Sequence, residues 1–212
     1  IALLMENTIA FMEICWAAQR SGLYYTAISR YLTAGEIAYI VKDCGAKVVI
    51  TTPKCMASIA PLLASASAGT QFFITGAAQG GFKSWDDALA SQPTTPIADE
   101  AAGYDMLYSS GTTGRPKGIK RPLTEPSILV PNPLLKLLCS TMCGMNETSV
   151  YLSPAPLYHA APLRYNMVFQ RHGCTCVIME SFDAEAALGA IERHRITHSQ
   201  WVPTMFVKLL KL

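Results

Sequence analysis

Four hydroxyl side chains, Ser109, Ser110, Thr112 and Thr113, share one short stretch with Gly111, Gly114 and Gly118. Arg115, Pro116 and Lys117 complete it, and an apolar run, Met106-Leu107-Tyr108, leads into it. Glycines let backbone N–H groups crowd around an anion, hydroxyls donate further hydrogen bonds, and a lysine adds a mobile positive charge. Such a turn is suited to gripping a polyphosphate. A flexible surface linker needs neither a lysine nor a proline at fixed places. A Walker A loop would set the lysine beside its second glycine with a hydroxyl after it, whereas Lys117 follows Pro116 and precedes Gly118. The dinucleotide fingerprint G-x-G-x-x-G is absent from the sequence.

A second group of reactive residues lies downstream. His159 stands beside Tyr158 in a stretch punctuated by Pro154, Pro156 and Pro162, a poor setting for a core histidine. His172, His194 and His198 read as ordinary structural residues. Seven cysteines fall mostly among apolar neighbours, as small buried hydrophobes do. His172, Cys174 and Cys176 lack the second half that zinc spacing demands, so no metal site is expected.

The elements that must position these residues alternate clearly. Residues 7–21 show helical spacing of Ile9, Met12, Trp16 and Ala17, with Gly22 as the stop. Residues 23–27 read as a strand. Thr33-Ala34-Gly35-Glu36 forms a capping box for a helix closing at Gly45. Strands are expected over 47–51 and 71–75, with a helix over 53–66 between them and a short helix capped by Ser84. Residues 91–102 are loop-like and suggest a subdomain boundary. Beyond the glycine-rich turn, helices are expected from Asn132 to about Met145, up to His172, from Asp183 through Arg193, and from Thr204 onward. Strands over 149–153, 175–179 and 197–201 separate them. This alternation predicts an α/β fold with parallel sheets and helices on both faces.

The chain has 212 residues, half of them hydrophobic, and a net charge of +2. That balance offers no support for nucleic-acid binding, and no apolar run reaches the roughly 18 residues of a membrane span. No leader is visible, and a cytoplasmic location is expected. The sequence opens in a strand-like run and closes in a helix-like one, so it is expected to be a piece of a larger protein.

The eleven residues 108–118 resemble, almost position for position, the phosphate-loop signature of the AMP-forming adenylating superfamily. That superfamily includes acyl- and aryl-CoA synthetases, firefly-type luciferases and peptide-synthetase adenylation domains. The likeness extends through Leu4-Met5-Glu6-Asn7, Leu32-Thr33-Ala34-Gly35-Glu36, residues 153–163, residues 191–197 and Trp201-Val202-Pro203-Thr204. It implies an incomplete N-terminal AMP-binding domain over residues 1–212, without the C-terminal domain. The implied reaction is carboxylate activation with ATP, Mg2+ and coenzyme A. Ser109, Ser110, Gly111, Thr112, Thr113, Gly114 and Lys117 would hold the phosphates. Tyr158, His159, Trp201, Val202 and Pro203 would face the acyl group. Arg115, Lys120 and Arg121 read as solubilising charge.

The family's aromatic-glycine-x-threonine-glutamate adenine motif does not occur in the sequence, and neither do its ribose-binding aspartate motif or its catalytic lysine domain. No catalytic residue and no metal ligand is therefore assigned, and the 212-residue chain alone is expected to be inactive. Peptide-synthetase domains place an aspartate where Tyr158-His159 stands, and no acid lies between Ser153 and Leu163. A fatty or other simple carboxylic acid is thus the expected substrate, with an aryl acid, another adenylating chemistry or a non-catalytic nucleotide-binding module as alternatives. A nicotinamide oxidoreductase fails for want of a glycine fingerprint.

Overall fold

A computed structural model describes residues 1–109, 115–123 and 136–212. They fall into two units, Ile1–Glu6 with Ala10–Leu129, and Asn7–Ile9 with Val130–Leu212. Residues 91–102, where a boundary is expected, lie inside the first unit.

In the first unit β1 (Ala2–Leu4), β2 (Tyr24–Ala27), β3 (Val48–Thr51), β4 (Gln71–Ile74), β5 (Lys83–Ser84) and β6 (Tyr104–Asp105) form one sheet. Its order is β5-β4-β3-β1-β2-β6 and every pair is parallel. The central β1 is wholly buried, and Ala-Leu-Leu is the unbroken apolar run that a strand covered on both faces requires. Leu4, Ile37, Ile40, Val49, Ile59 and Ile74 build the core beside it. Each such fully buried aliphatic side chain contributes about 1.5–3 kcal/mol.

Helices α1 (Ile9–Arg20), α2 (Ala34–Asp43), α3 (Met56–Ile59) and α4 (Trp85–Ala90) alternate with these strands. The Thr33 hydroxyl accepts from the Glu36 N–H, and the Glu36 carboxylate accepts from the Thr33 N–H, completing the expected capping box. Gly22 and Gly45 take left-handed φ values of 66° and 64°, the conformation glycine adopts most cheaply at a helix end. The helix expected over residues 53–66 is shorter and broken. It begins at Met56 and gives way to a 3-10 turn over Ala60–Ala64. Pro61 has no N–H to donate to the carbonyl four residues back, so the α-helical ladder cannot pass it.

The second unit centres on β9 (Val150–Ser153), flanked by β10 (Thr175–Ile178) and β11 (His198–Ser199) in parallel. Helices α5 (Ala160–Arg171), α6 (Ala184–His194) and α7 (Pro203–Leu209) connect and follow them. Successive β9 side chains point to opposite faces. Tyr151 packs with Val168 and Phe169 of α5, while Leu152 packs with Ala187 and Ala190 of α6. Helices therefore cover both faces of this sheet. Residues Leu137–Met142 are π-helical, and the Asn132 start expected for that helix lies outside the described residues. Strand β11 stops at Ser199 rather than Trp201. Pro203 opens α7, and the residue before a proline is held extended while the chain turns into the helix.

Strands β7 (Leu107–Ser109) and β8 (Lys117–Ile119) make a separate antiparallel pair in the first unit. Among the described residues, no helix is long and apolar enough to cross a membrane.

Candidate functional site

The hairpin β7–β8 brackets the glycine- and hydroxyl-rich turn. Leu107 pairs with Ile119, Tyr108 with Gly118, and Ser109 with Lys117. Ser109 and Lys117 thus sit opposite one another at the mouth of the turn. Ser110, Gly111, Thr112, Thr113 and Gly114 lie outside the described residues. The base of the hairpin is fitted closely. A Cβ at Gly118 would meet the Tyr108 ring at 2.7 Å and the Met106 methyl at 2.7 Å. Only glycine lets the Tyr108 ring lie across the opposing strand. The Tyr108 hydroxyl donates to the Asp43 carboxylate at the end of α2. Burial, followed by that carboxylate, pushes the Tyr108 hydroxyl well above its ordinary pKa, so it stays a protonated donor.

Four cations follow the turn, and they differ in setting. Arg115 lies over the Tyr39 ring at 5.4 Å, Lys120 over Tyr24 at 4.8 Å, and Arg121 over Tyr104 at 5.6 Å. These three are engaged in cation–π contacts, a role beyond the solubilising charge expected of them. Lys117 is exposed and has no partner among the described residues. It is the mobile charge of the group.

In the second unit the chain leaves β9 at Ser153 and reaches α5 through Pro154 to His159. This loop lies past the carboxyl end of the central strand, the edge at which open α/β sheets receive ligands. His159 occupies the N-cap position of α5, yet its side chain makes no capping hydrogen bond. Its ring packs against Tyr158 with centroids 4.4 Å apart. Partial burial lowers the pKa of the imidazole, which favours a neutral ring carrying one N–H donor and one acceptor.

Two buried amides frame the loop. Asn7, which the structure groups with the second unit, donates to the carbonyls of Ala155 and Met179, both at 2.9 Å. Its oxygen accepts from the Leu157 N–H at 2.8 Å. Asn166 of α5 donates to the Ser153 hydroxyl at 2.7 Å and to the Pro162 carbonyl at 2.8 Å. In the sequence Asn7 is marked only by its place at a helix start and within Leu4-Met5-Glu6-Asn7. Its hydrogen-bond partners lie 148 and more residues away, and no local pattern signals them.

Trp201 is set apart from Tyr158 and His159 in its packing. Its ring meets Phe182 edge-on at 5.9 Å and tilts against Phe206 at 6.0 Å, beside the Leu152 and Ala187 cluster. Val202 is the N-cap of α7 and Pro203 its first residue, and both are exposed. Several of the remaining histidines and cysteines have structural partners. His172 bonds the Val168 carbonyl, and His198 bridges Thr197 and the Cys143 carbonyl. Cys174 donates to the Asn146 carbonyl. Among the described residues, no group of three or more His, Cys, Asp or Glu side chains is placed to hold a metal ion.

The model of one family, described as AMP-binding enzyme, matches residues 1–212. The chain belongs to the AMP-binding enzyme family. It is 30% identical over 224 residues to 4-coumarate--CoA ligase 5 of Oryza sativa, covering 100% of this chain and 39% of the rice protein. It is 30% identical over 213 residues to the long-chain-fatty-acid--CoA ligase FadD13 of Mycobacterium tuberculosis, covering 97% of this chain and 39% of that one. Among solved structures, the N-terminal domain of FACL13 from Mycobacterium tuberculosis matches with a TM-score of 0.79 and 25% identity. That match covers 100% of this chain and 51% of the other. Apo MatB from Rhodopseudomonas palustris matches with a TM-score of 0.76 and 25% identity, over 100% of this chain and 40% of MatB.

The chain therefore spans about two fifths of the length of the curated relatives it matches. In this member of the family the glycine-rich turn belongs to the first unit, and the His159 loop to the second.

Proposed function

We propose that this chain forms the part of an AMP-forming acid–thiol ligase that receives the triphosphate of ATP and the carboxylate to be activated. A carboxylate oxygen attacks the α-phosphorus of ATP, forming the acyl-adenylate and releasing pyrophosphate. The thiol of coenzyme A then attacks the acyl carbon and AMP leaves. Two anions must meet for the first step, so the chain's task is orientation and charge complementarity.

The observation that carries this reading is the antiparallel pairing that sets Ser109 opposite Lys117. It closes the base of the glycine-rich turn and leaves at its mouth Lys117, which has no partner among the described residues. The turn's amides and hydroxyls would hold the β and γ phosphates, with Lys117 countering their charge. The described residues offer no metal cage of their own. Any Mg2+ would be held through the phosphates and its own waters, the usual arrangement for that ion.

On the acid side, His159 would meet the carboxylate as a neutral hydrogen-bonding ring, with Tyr158 packed beside it. The absence of an acid from residues 153–163 leaves nothing to pair an α-amino group. That favours a fatty acid or another simple carboxylic acid. The relationship to 4-coumarate--CoA ligase 5 supports an aryl acid as the second reading.

Pyrophosphate release by the enzyme carrying this chain tests the proposal. Lys117→Ala should weaken use of ATP by about 1.5–3 kcal/mol, roughly ten- to 150-fold in kcat/KM for ATP, as expected for a lost charge-assisted hydrogen bond. Unchanged ATP kinetics would remove Lys117 from the site. The 212-residue chain by itself is expected to release no pyrophosphate, because the adenine motif and catalytic lysine domain are absent from its sequence.

A further inference from the structure

We propose that Asn7 is the positioning residue of the acid-side loop, setting the backbone on which Tyr158 and His159 stand. This rests on the reading of that loop as the place where the carboxylate is received.

The loop has few ways to hold itself. Pro154 and Pro156 have no N–H to donate, and at the loop's end the His159 N–H turns back to the Pro156 carbonyl at 3.2 Å. Between those ends lie two buried backbone groups, the Ala155 carbonyl and the Leu157 N–H, on residues 5% and 0% exposed. Buried main-chain groups require partners. Asn7 supplies both from one side chain that is itself 8% exposed.

The orientation of this amide follows from its partners. Two carbonyl oxygens demand the NH2 end, and one N–H demands the oxygen end. A flipped amide would oppose donor to donor and acceptor to acceptor. The third bond, to the Met179 carbonyl, is as informative as the first two. Met179 follows β10, and β10 pairs with β9 through Ile178 and Ser153. One amide therefore joins the segments leaving two adjacent parallel strands at their carboxyl ends. All three bonds go to main chain beyond the strands. Removing them frees the loop while the β9–β10 ladder keeps its own hydrogen bonds.

Asn166 holds the loop's flanks through Ser153 and Pro162, while Asn7 holds its middle. The side chains at 158 and 159 thus project from a segment fixed between two amides. A loop so fixed brings a hydrogen-bonding ring to a substrate with little ordering left to do on binding.

Steady-state kinetics of the enzyme carrying this chain, with Asn7→Ala and Asn7→Asp, test the inference. Aspartate keeps the acceptor for Leu157 but cannot donate to the two carbonyls. Both variants should raise KM for the acid by about ten- to a hundredfold, the scale on which misplacement of a reacting group acts. KM for ATP should stay within about twofold. Parallel rises in both KM values, or an unmoved acid KM, would overturn the proposal.

Amide exchange of the native 212-residue chain supplies a readout that needs no variant to fold. The Leu157 N–H should exchange as slowly as the β9 amides beside it. Fast exchange there overturns the assignment of Asn7. An enzyme that makes no adenylate at all would sink the ligase reading, and the Leu157 result would still judge Asn7 separately.

Discussion

The two candidate loops are held by opposite means. The glycine-rich turn of the first unit is fixed by main-chain pairing and by fit, with Ser109 opposite Lys117 and Tyr108 lying across a glycine. The His159 loop of the second unit has no strand partner of its own and is held by the side chains of Asn7 and Asn166. Under the proposed function, a turn that receives a compact, heavily charged tail would gain from a rigid frame with an exposed cation at its mouth. A loop held by single side chains, as the His159 loop is, can be retuned through them without disturbing the sheet. The teaching of this contrast is that substitutions in the frame of the first loop should act through sterics, and those in the frame of the second through hydrogen bonding and protonation.

The largest expected effect is at Gly103. A Cβ there would lie 2.4 Å from the Leu23 carbonyl oxygen and 2.5 Å from that of Ala18, and backbone atoms cannot step aside. Gly103→Ala should cost about 3 kcal/mol of stability, at the upper end of overpacking penalties, as read from urea unfolding of the chain. The contrast breaks if Leu157 exchange in the second unit accelerates in step with loss of the first unit.

Gly118→Ala comes next. Its new methyl meets a mobile Met106 end but also the Tyr108 ring, which Asp43 tethers. About 1–2 kcal/mol of destabilisation is expected, together with a raised KM for ATP and an unchanged KM for the acid. A normal ATP KM in a variant that folds would show that the hairpin's fit does not transmit to the turn.

The smallest effect concerns His159. Partial burial makes its folded imidazole bind a proton less tightly than the unfolded one does. Stability from this residue is therefore intact above the ordinary histidine value of about 6.5 and declines as pH falls toward the lower folded value. His159→Gln should flatten that part of the acid-side decline, seen by comparing urea midpoints at about pH 7.5 and about pH 5.5. An undiminished slope in the variant would assign the decline to other groups.

Much of the architecture was readable from local chemistry. Thr33 with Glu36, Ser84 and Asp183 announce helix starts, and each side chain makes its capping bond. Gly22, Gly45 and Gly173 mark ends at left-handed φ. The errors also have physical causes. The 53–66 helix fails at Pro61, where the apolar pattern outran the available N–H groups. Strands β5 and β6 are two residues long and β8 three, too short for any periodicity to register.

On the candidate site, residue types pointed to the turn and to His159. Sequence alone sets Lys117 apart from its three neighbouring cations, but it does not show the rings those three cover, because Tyr24, Tyr39 and Tyr104 are distant along the chain. Asn7 escaped for the same reason. Long-range hydrogen bonds leave no periodic trace.

The parking of Arg115, Lys120 and Arg121 on tyrosine rings carries a consequence for turnover. If all four positive groups closed on the outgoing product, its departure would become the slow step of the cycle. With three of them occupied elsewhere, the exit would, under the proposed function, be opposed among these four described cations by one ammonium alone, which can let go as easily as it takes hold.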